Sequence, residues 1–71
     1  MIKISTSRIR DIIEEVNGKE INGVRYDMKD SPKGIAAVFS TDADDEEAAM
    51  VALKKHLKEK FPAFMLYTEL V

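Results

Sequence analysis

Ile35-Ala36-Ala37-Val38-Phe39-Ser40 is the stretch on which the fold turns. Side chains of an extended chain alternate, so Ile35, Ala37 and Phe39 share one face and Ala36 and Val38 the other. A strand that is apolar on both faces belongs inside a sheet rather than at its edge.

Just upstream, Asp30-Ser31-Pro32-Lys33-Gly34 is rich in turn formers and reads as a loop. Before it, Val24, Tyr26 and Met28 alternate with Arg25, Asp27 and Lys29, the pattern of a half-buried strand. Asn22-Gly23 is a tight-turn signal and predicts a two-residue hairpin turn between Glu20-Ile21 and Val24-Arg25. Ile9, Ile12, Ile13 and Val16 stand at helical spacing, with Arg10, Asp11, Glu14 and Glu15 opposite them. Asn17-Gly18 ends that helix, glycine being free to adopt the left-handed conformation. Ser5-Thr6-Ser7 supplies candidate N-caps, and with Ser5 as the cap Ile4 and Ile9 would form a hydrophobic staple. Met1 to Ser5, with Ile2 and Ile4 flanking Lys3, reads as a short strand.

Downstream, Thr41-Asp42-Ala43-Asp44 starts a second helix. Its acids come early and Lys54, Lys55, Lys58 and Lys60 come late, which complements the helix dipole. Met50, Leu53, Leu57 and Phe61 form the expected buried stripe, and Pro62 forces the stop. Ala63 to Val71 closes as a strand, with Phe64, Leu66 and Leu70 on one face and Met65, Tyr67, Glu69 and Val71 on the other.

The order is strand, helix, strand, strand, helix, strand, an α+β chain. It resembles the ferredoxin-like split βαβ arrangement, a βαββαβ two-layer sandwich with two helices on one face of a four-stranded antiparallel sheet. If residues 1–5 do not pair, the alternative is αββαβ with a three-stranded antiparallel sheet. Residues 1–71 make one domain in either case.

A chain of this size buries only about 60% of its unfolded surface, so a supplement to its core is expected. With no Cys and one His, disulfides, thiolate metal sites and histidine clusters are excluded, leaving self-association. No metal and no cofactor is expected. Residues 1–35 carry seven Lys/Arg against six Asp/Glu, and residues 36–71 carry four against seven. That balance argues against phosphate-backbone binding. No apolar leader follows Met1, and the longest apolar run, Ala48 to Leu53, falls far short of the roughly 20 residues that span a bilayer. The expected setting is the cytoplasm, away from membranes.

Two helices can shield one face of a sheet, yet two strands are apolar on both faces. The uncovered face should carry Ala36, Val38, Met65, Tyr67 and Val71, with Lys3, Arg25 and Asp27 around them. An exposed apolar patch rimmed by charge marks a contact surface. The leading reading is a non-enzymatic protein-interaction or regulatory module, a homo-oligomer joined through this face. A first alternative is weak single-strand nucleic-acid binding through Lys3, Arg25 and Tyr67. Lys33-Gly34-Ile35-Ala36-Ala37-Val38 superficially resembles the RNP1 signature of RNA-recognition motifs, but Ile35 and Ala37 stand where that family carries its stacking rings. A second alternative is a small-ligand or anion site at Ser5, Thr6, Ser7 and Arg8, where a helix follows a strand. Acylphosphatases, small enzymes of similar topology, hold phosphate in a glycine-bearing loop at this place, and no glycine stands here.

No pattern points to catalysis. No G-x-S-x-G elbow presents Ser31 or Ser40 as a nucleophile. His56 has neither Cys nor a second His to work with. Asp42, Asp44, Asp45, Glu46 and Glu47 fail as a calcium loop, because Glu47 stands where the turn needs glycine and Leu53 where a bidentate Glu is needed. They read as an acidic helix start. Val51 and Ala52 lie off the buried stripe, and Val51 is the residue of that helix expected to meet a second surface.

Overall fold

A computed structural model describes residues 1–30 and 34–71. The elements are β1 (Ile2–Ser5), α1 (Ile9–Val16), β2 (Lys19–Ile21), β3 (Val24–Asp30), β4 (Ala36–Thr41), α2 (Glu46–Lys60) and β5 (Tyr67–Leu70). The strands form one open antiparallel sheet in the order β2-β3-β4-β1-β5. The α+β class is therefore as expected, whereas the sheet has five strands instead of four. The fifth is Lys19–Ile21: the upstream arm of the hairpin is long enough to pair with β3 as a strand of its own.

β4 takes the middle position, as its two apolar faces require. β1 pairs with β4 on one side and β5 on the other, which removes the three-stranded alternative. Register sets the faces. Ile2 opposes Phe39 and Ile4 opposes Ala37, and all four are fully buried against the helices. Lys3 and Ser5 point the opposite way with Val38 and Ala36. Tyr26 joins the core from β3, and Ile12, Val16, Leu53 and Leu57 close it from the helices.

The hairpin turn follows from its two residues. Asn22 (φ 53°) and Gly23 (φ 80°) are both left-handed, as a turn that matches strand twist demands. β2 covers only the first residues of β3. Beyond it Asn17 takes over at the end of α1, its Oδ1 accepting the Met28 amide at 2.9 Å while the Gly18 amide donates to the Tyr26 carbonyl at 2.8 Å. A register shift between Met28 and Asp30 bends β3 before the loop. Ser31, Pro32 and Lys33 of that loop lie outside the described residues.

Local details depart from expectation in four places. The helix α1 starts at Ile9 after Arg8, which makes no side-chain cap; Ser5 belongs to β1, so neither the cap nor the staple forms there. Instead the Thr6 hydroxyl accepts the Arg8 amide at 3.3 Å. α2 starts five residues after Thr41, because β4 runs on through Thr41 and Asp45 is the cap, accepting the Ala48 amide at 3.1 Å. The fully packed line of α2 is Ala49, Leu53 and Leu57, with Met50 and Phe61 half-buried beside it. Lastly, Ile35 is 61% exposed and precedes β4 rather than sharing the core face of Ala37 and Phe39. The chain is still turning through Gly34 (φ 31°), and Ile35 contributes its carbonyl to the Thr6 amide.

The two helices are tied by one carboxylate. Glu15 meets His56 Nε2 at 2.9 Å through one oxygen and Lys60 Nζ at 2.9 Å through the other. The Lys60 bond first, then the His56 bond, hold the Glu15 carboxyl below its ordinary range against the opposing effect of burial. A carboxylate so lowered stabilises the fold above that range and loses its contribution as pH falls from there through the lowered value. Glu15→Gln is expected to cost about 0.5–1 kcal/mol at pH 7. Urea titrations at descending pH should show the gap from the parent chain closing as the pH falls below the ordinary carboxylate range. Among the described residues no helix is long and apolar enough to cross a membrane.

Candidate interaction surface

The face of the sheet turned away from the helices is built by alternation and read from register. Glu20 lies beside Arg25, and Asp27 beside Ser40. Asp30, Val38, Lys3 and Glu69 form one row across four strands, and Ala36, Ser5 and Tyr67 form the next. Val71 continues the sequence of Tyr67 and Glu69, its amide donating to the Met1 carbonyl at 2.9 Å.

This face is divided by chemistry. Its β3 half is charged: Arg25 is bound to Asp27 at 3.1 Å, the hydrogen bond and charge of Asp27 raise the guanidinium pKa, and Glu20 and Asp30 leave this half negative. Lys3 faces Glu69 at 3.7 Å on the neighbouring strand. The exposed apolar side chains gather at the opposite end, where Met65 is 72% exposed, Tyr67 64% and Val71 63%, with Leu70 on the edge beside them. Val38 is half-buried between Lys3 and Asp30. Ala36 lies on this face by register but is buried, a methyl group on an inner strand sitting below longer neighbours. Thus the seven residues singled out from the sequence do not make one continuous patch. Met65 and Tyr67 cluster, Lys3 and Val38 lie in the next row, Val71 stands at the far end of β5, about 13 Å along the strand from Tyr67, and Arg25 is farther still, three strands away and level with Asp42 rather than with Ala36.

Part of the cluster arises because the closing strand is shorter than Ala63 to Val71. Pairing covers only Tyr67–Leu70. Pro62 turns the chain, Phe64 stacks on Phe61 with ring centroids 4.6 Å apart, and Leu66 is buried, leaving Met65 outside. Leu70 shares the core face of Ile2 by register, yet an edge position leaves it 44% exposed.

β5 is also an edge of unusual character. At the other edge, β2 is three residues long and carries Lys19 and Glu20, charges that discourage further pairing. Tyr67-Thr68-Glu69-Leu70 has neither lysine nor proline, and its outer side is paired with nothing among the described residues. The sequence signal for this was present in the composition of the last segment, but it meant nothing until the strand order made β5 an edge.

The remaining candidates sit apart. Thr6 is buried with its hydroxyl engaged, Ser5 is in β1, and Ser7 is exposed. Arg8 is held by Asp11 at 2.9 Å and lies over the Phe64 ring, so its charge is already answered. Asp42 accepts the Arg25 amide at 2.9 Å and Asp45 caps α2, so these carboxylates diverge. No group of three or more His, Asp or Glu gathers as a metal site among the described residues. No protein-family model matches the chain, and no curated protein and no solved structure matches it.

Proposed function

We propose that this domain is a non-enzymatic protein-interaction module that works by associating with itself, its contact surface being the β5 end of the sheet. One observation carries the reading: four large apolar side chains, Met65, Tyr67, Leu70 and Val71, stand exposed in or next to a single strand. A monomer this small gains little core to offset such exposure, and covering it is favourable at about 25 cal/mol per Å². The pairing of Lys3 with Glu69 and of Arg25 with Asp27 weighs against phosphate binding and leaves the protein reading in front. We further read β1, α1, β3, β4, α2 and β5 as a split βαβ frame of ferredoxin-like kind, with β2 added at its edge, acting in the cytoplasm.

Light scattering at tens of micromolar is expected to give twice the 8.0 kDa chain mass. Tyr67→Ser should weaken the association about tenfold or more, as loss of an interfacial aromatic does. A clean monomer at that concentration would overturn the reading.

A further inference from the structure

We propose that two copies of this chain join edge to edge through β5, with α2 of one copy lying antiparallel to α2 of the other. The proposal rests on the self-association reading and names its geometry. β5 is the less guarded edge, its one charge, Glu69, already facing Lys3, and α2 runs alongside it: Met50, Val51, Lys54, Lys58 and Thr68 line the groove between them. A partner that extends the sheet past β5 must therefore also meet this flank of α2.

The charge pattern of that flank selects a second copy as the partner. Glu47, Val51, Lys54 and Lys58 are spaced by four, three and four residues, which places them along one stripe of the helix. Val51 is 61% exposed in the middle of it. Glu47, Lys54 and Lys58 have no ion-pair partner among the described residues, so their charges are open to a second copy. Laid antiparallel on itself with the axis between Ala52 and Leu53, the stripe is self-complementary. Glu47 then faces Lys58 of the second copy, and Val51 faces the aliphatic stem of Lys54. A parallel arrangement would set lysine on lysine.

One two-fold axis perpendicular to the sheet reverses the helix and the strand together, so antiparallel α2 pairing and antiparallel β5 pairing are the same operation. With the axis at Thr68, which lines the groove beside the middle of α2, the two Thr68 side chains oppose each other. Tyr67 then stands opposite Glu69 of the second copy, and Leu70 opposite Leu66. The product is a continuous ten-stranded sheet with both helix layers on one side.

Sedimentation equilibrium on the full chain, with circular dichroism as a check on folding, tests this. Glu47→Lys and Lys58→Glu are each expected to raise the dimer dissociation constant about tenfold or more, since each turns two attractive contacts into repulsive ones. The double variant E47K/K58E should return to within about threefold of the parent. Val51→Lys should dissociate the dimer without disturbing the fold. A dimer indifferent to both charge reversals, or a double variant that remains dissociated, overturns the edge geometry. If such a dimer is instead broken by Tyr67→Ser and Val38→Lys, the association reading stands and the open face is the interface. A parent chain that stays monomeric removes both.

Discussion

Tyr26→Ala is expected to lower the stability of this domain by about 3–5 kcal/mol, the usual range for truncating a buried aromatic ring. Tyr26 is 1% exposed, on the helix-facing side of β3, and its hydroxyl donates to the Ala49 carbonyl at 3.0 Å. Truncation would open a cavity under α2 at the point where helix and sheet are joined by both packing and a hydrogen bond. Against a total of about 5–15 kcal/mol for a folded domain, that is about a fifth or more. The melting temperature should fall by more than about 12 °C. Tyr26→Phe keeps the ring and should cost about 1 kcal/mol, the net value of the hydrogen bond. The pair of variants separates packing from bonding.

The same tyrosine sets an alkaline limit. Burial, and then the charge of Asp42, raise its phenol pKa above the ordinary value. The folded state keeps the proton where an unfolded tyrosine begins to lose it, near pH 10. The contribution is therefore complete below that pH and is lost as pH rises from there through the raised value. Urea titrations at pH 7 and near pH 10.5 should show a steeper alkaline loss in the parent chain than in Tyr26→Phe.

Ile4→Asp is expected to abolish cooperative folding. Ile4 is fully buried in β1, opposite Ala37 on one side and Thr68 on the other. The substitution removes about 2–5 kcal/mol of packing and places a carboxylate in the core with no counter-ion, at a further cost of several kcal/mol. Together these exceed what a domain this small holds in reserve. Among the described residues β5 pairs with β1 alone, so its register goes with it, and the apolar edge loses its support. Circular dichroism through a thermal ramp, without a sigmoidal transition, is the expected result. Had the sheet consisted of three strands without residues 1–5, the same change would be worth within about 0.5 kcal/mol, as at other surface positions.

Legible in the sequence were the elements whose signal is local or periodic. The two-sided apolar run ending at Ser40 placed a strand inside the sheet, and Asn22-Gly23 demanded a turn whose left-handed dihedrals are cheap for those residues. The stripe of Ile9, Ile12 and Val16 made α1, and the acid-to-base gradient of α2 followed the dipole. Element ends were less legible. Several serines and threonines near α1 could each have capped it, yet β1 claimed Ser5 and a turn claimed Thr6. Likewise Ala63 to Val71 alternates well throughout, but a strand ends where its partner does, and β1 is four residues long.

Alternation along the chain by itself determined which residues of β1, β4 and β5 share a face, because side-chain direction within a regular strand is a property of that strand alone. Which face is covered, which strand is an edge, and which charges cancel were decided only in three dimensions. Those depend on neighbours far apart in the chain: Lys3 meets Glu69, Glu15 meets Lys60, and β5 stands outermost because β1 inserts between it and β4. The exposed apolar cluster at β5 is a consequence of that order, since the same residues on an inner strand would have been flanked on both sides.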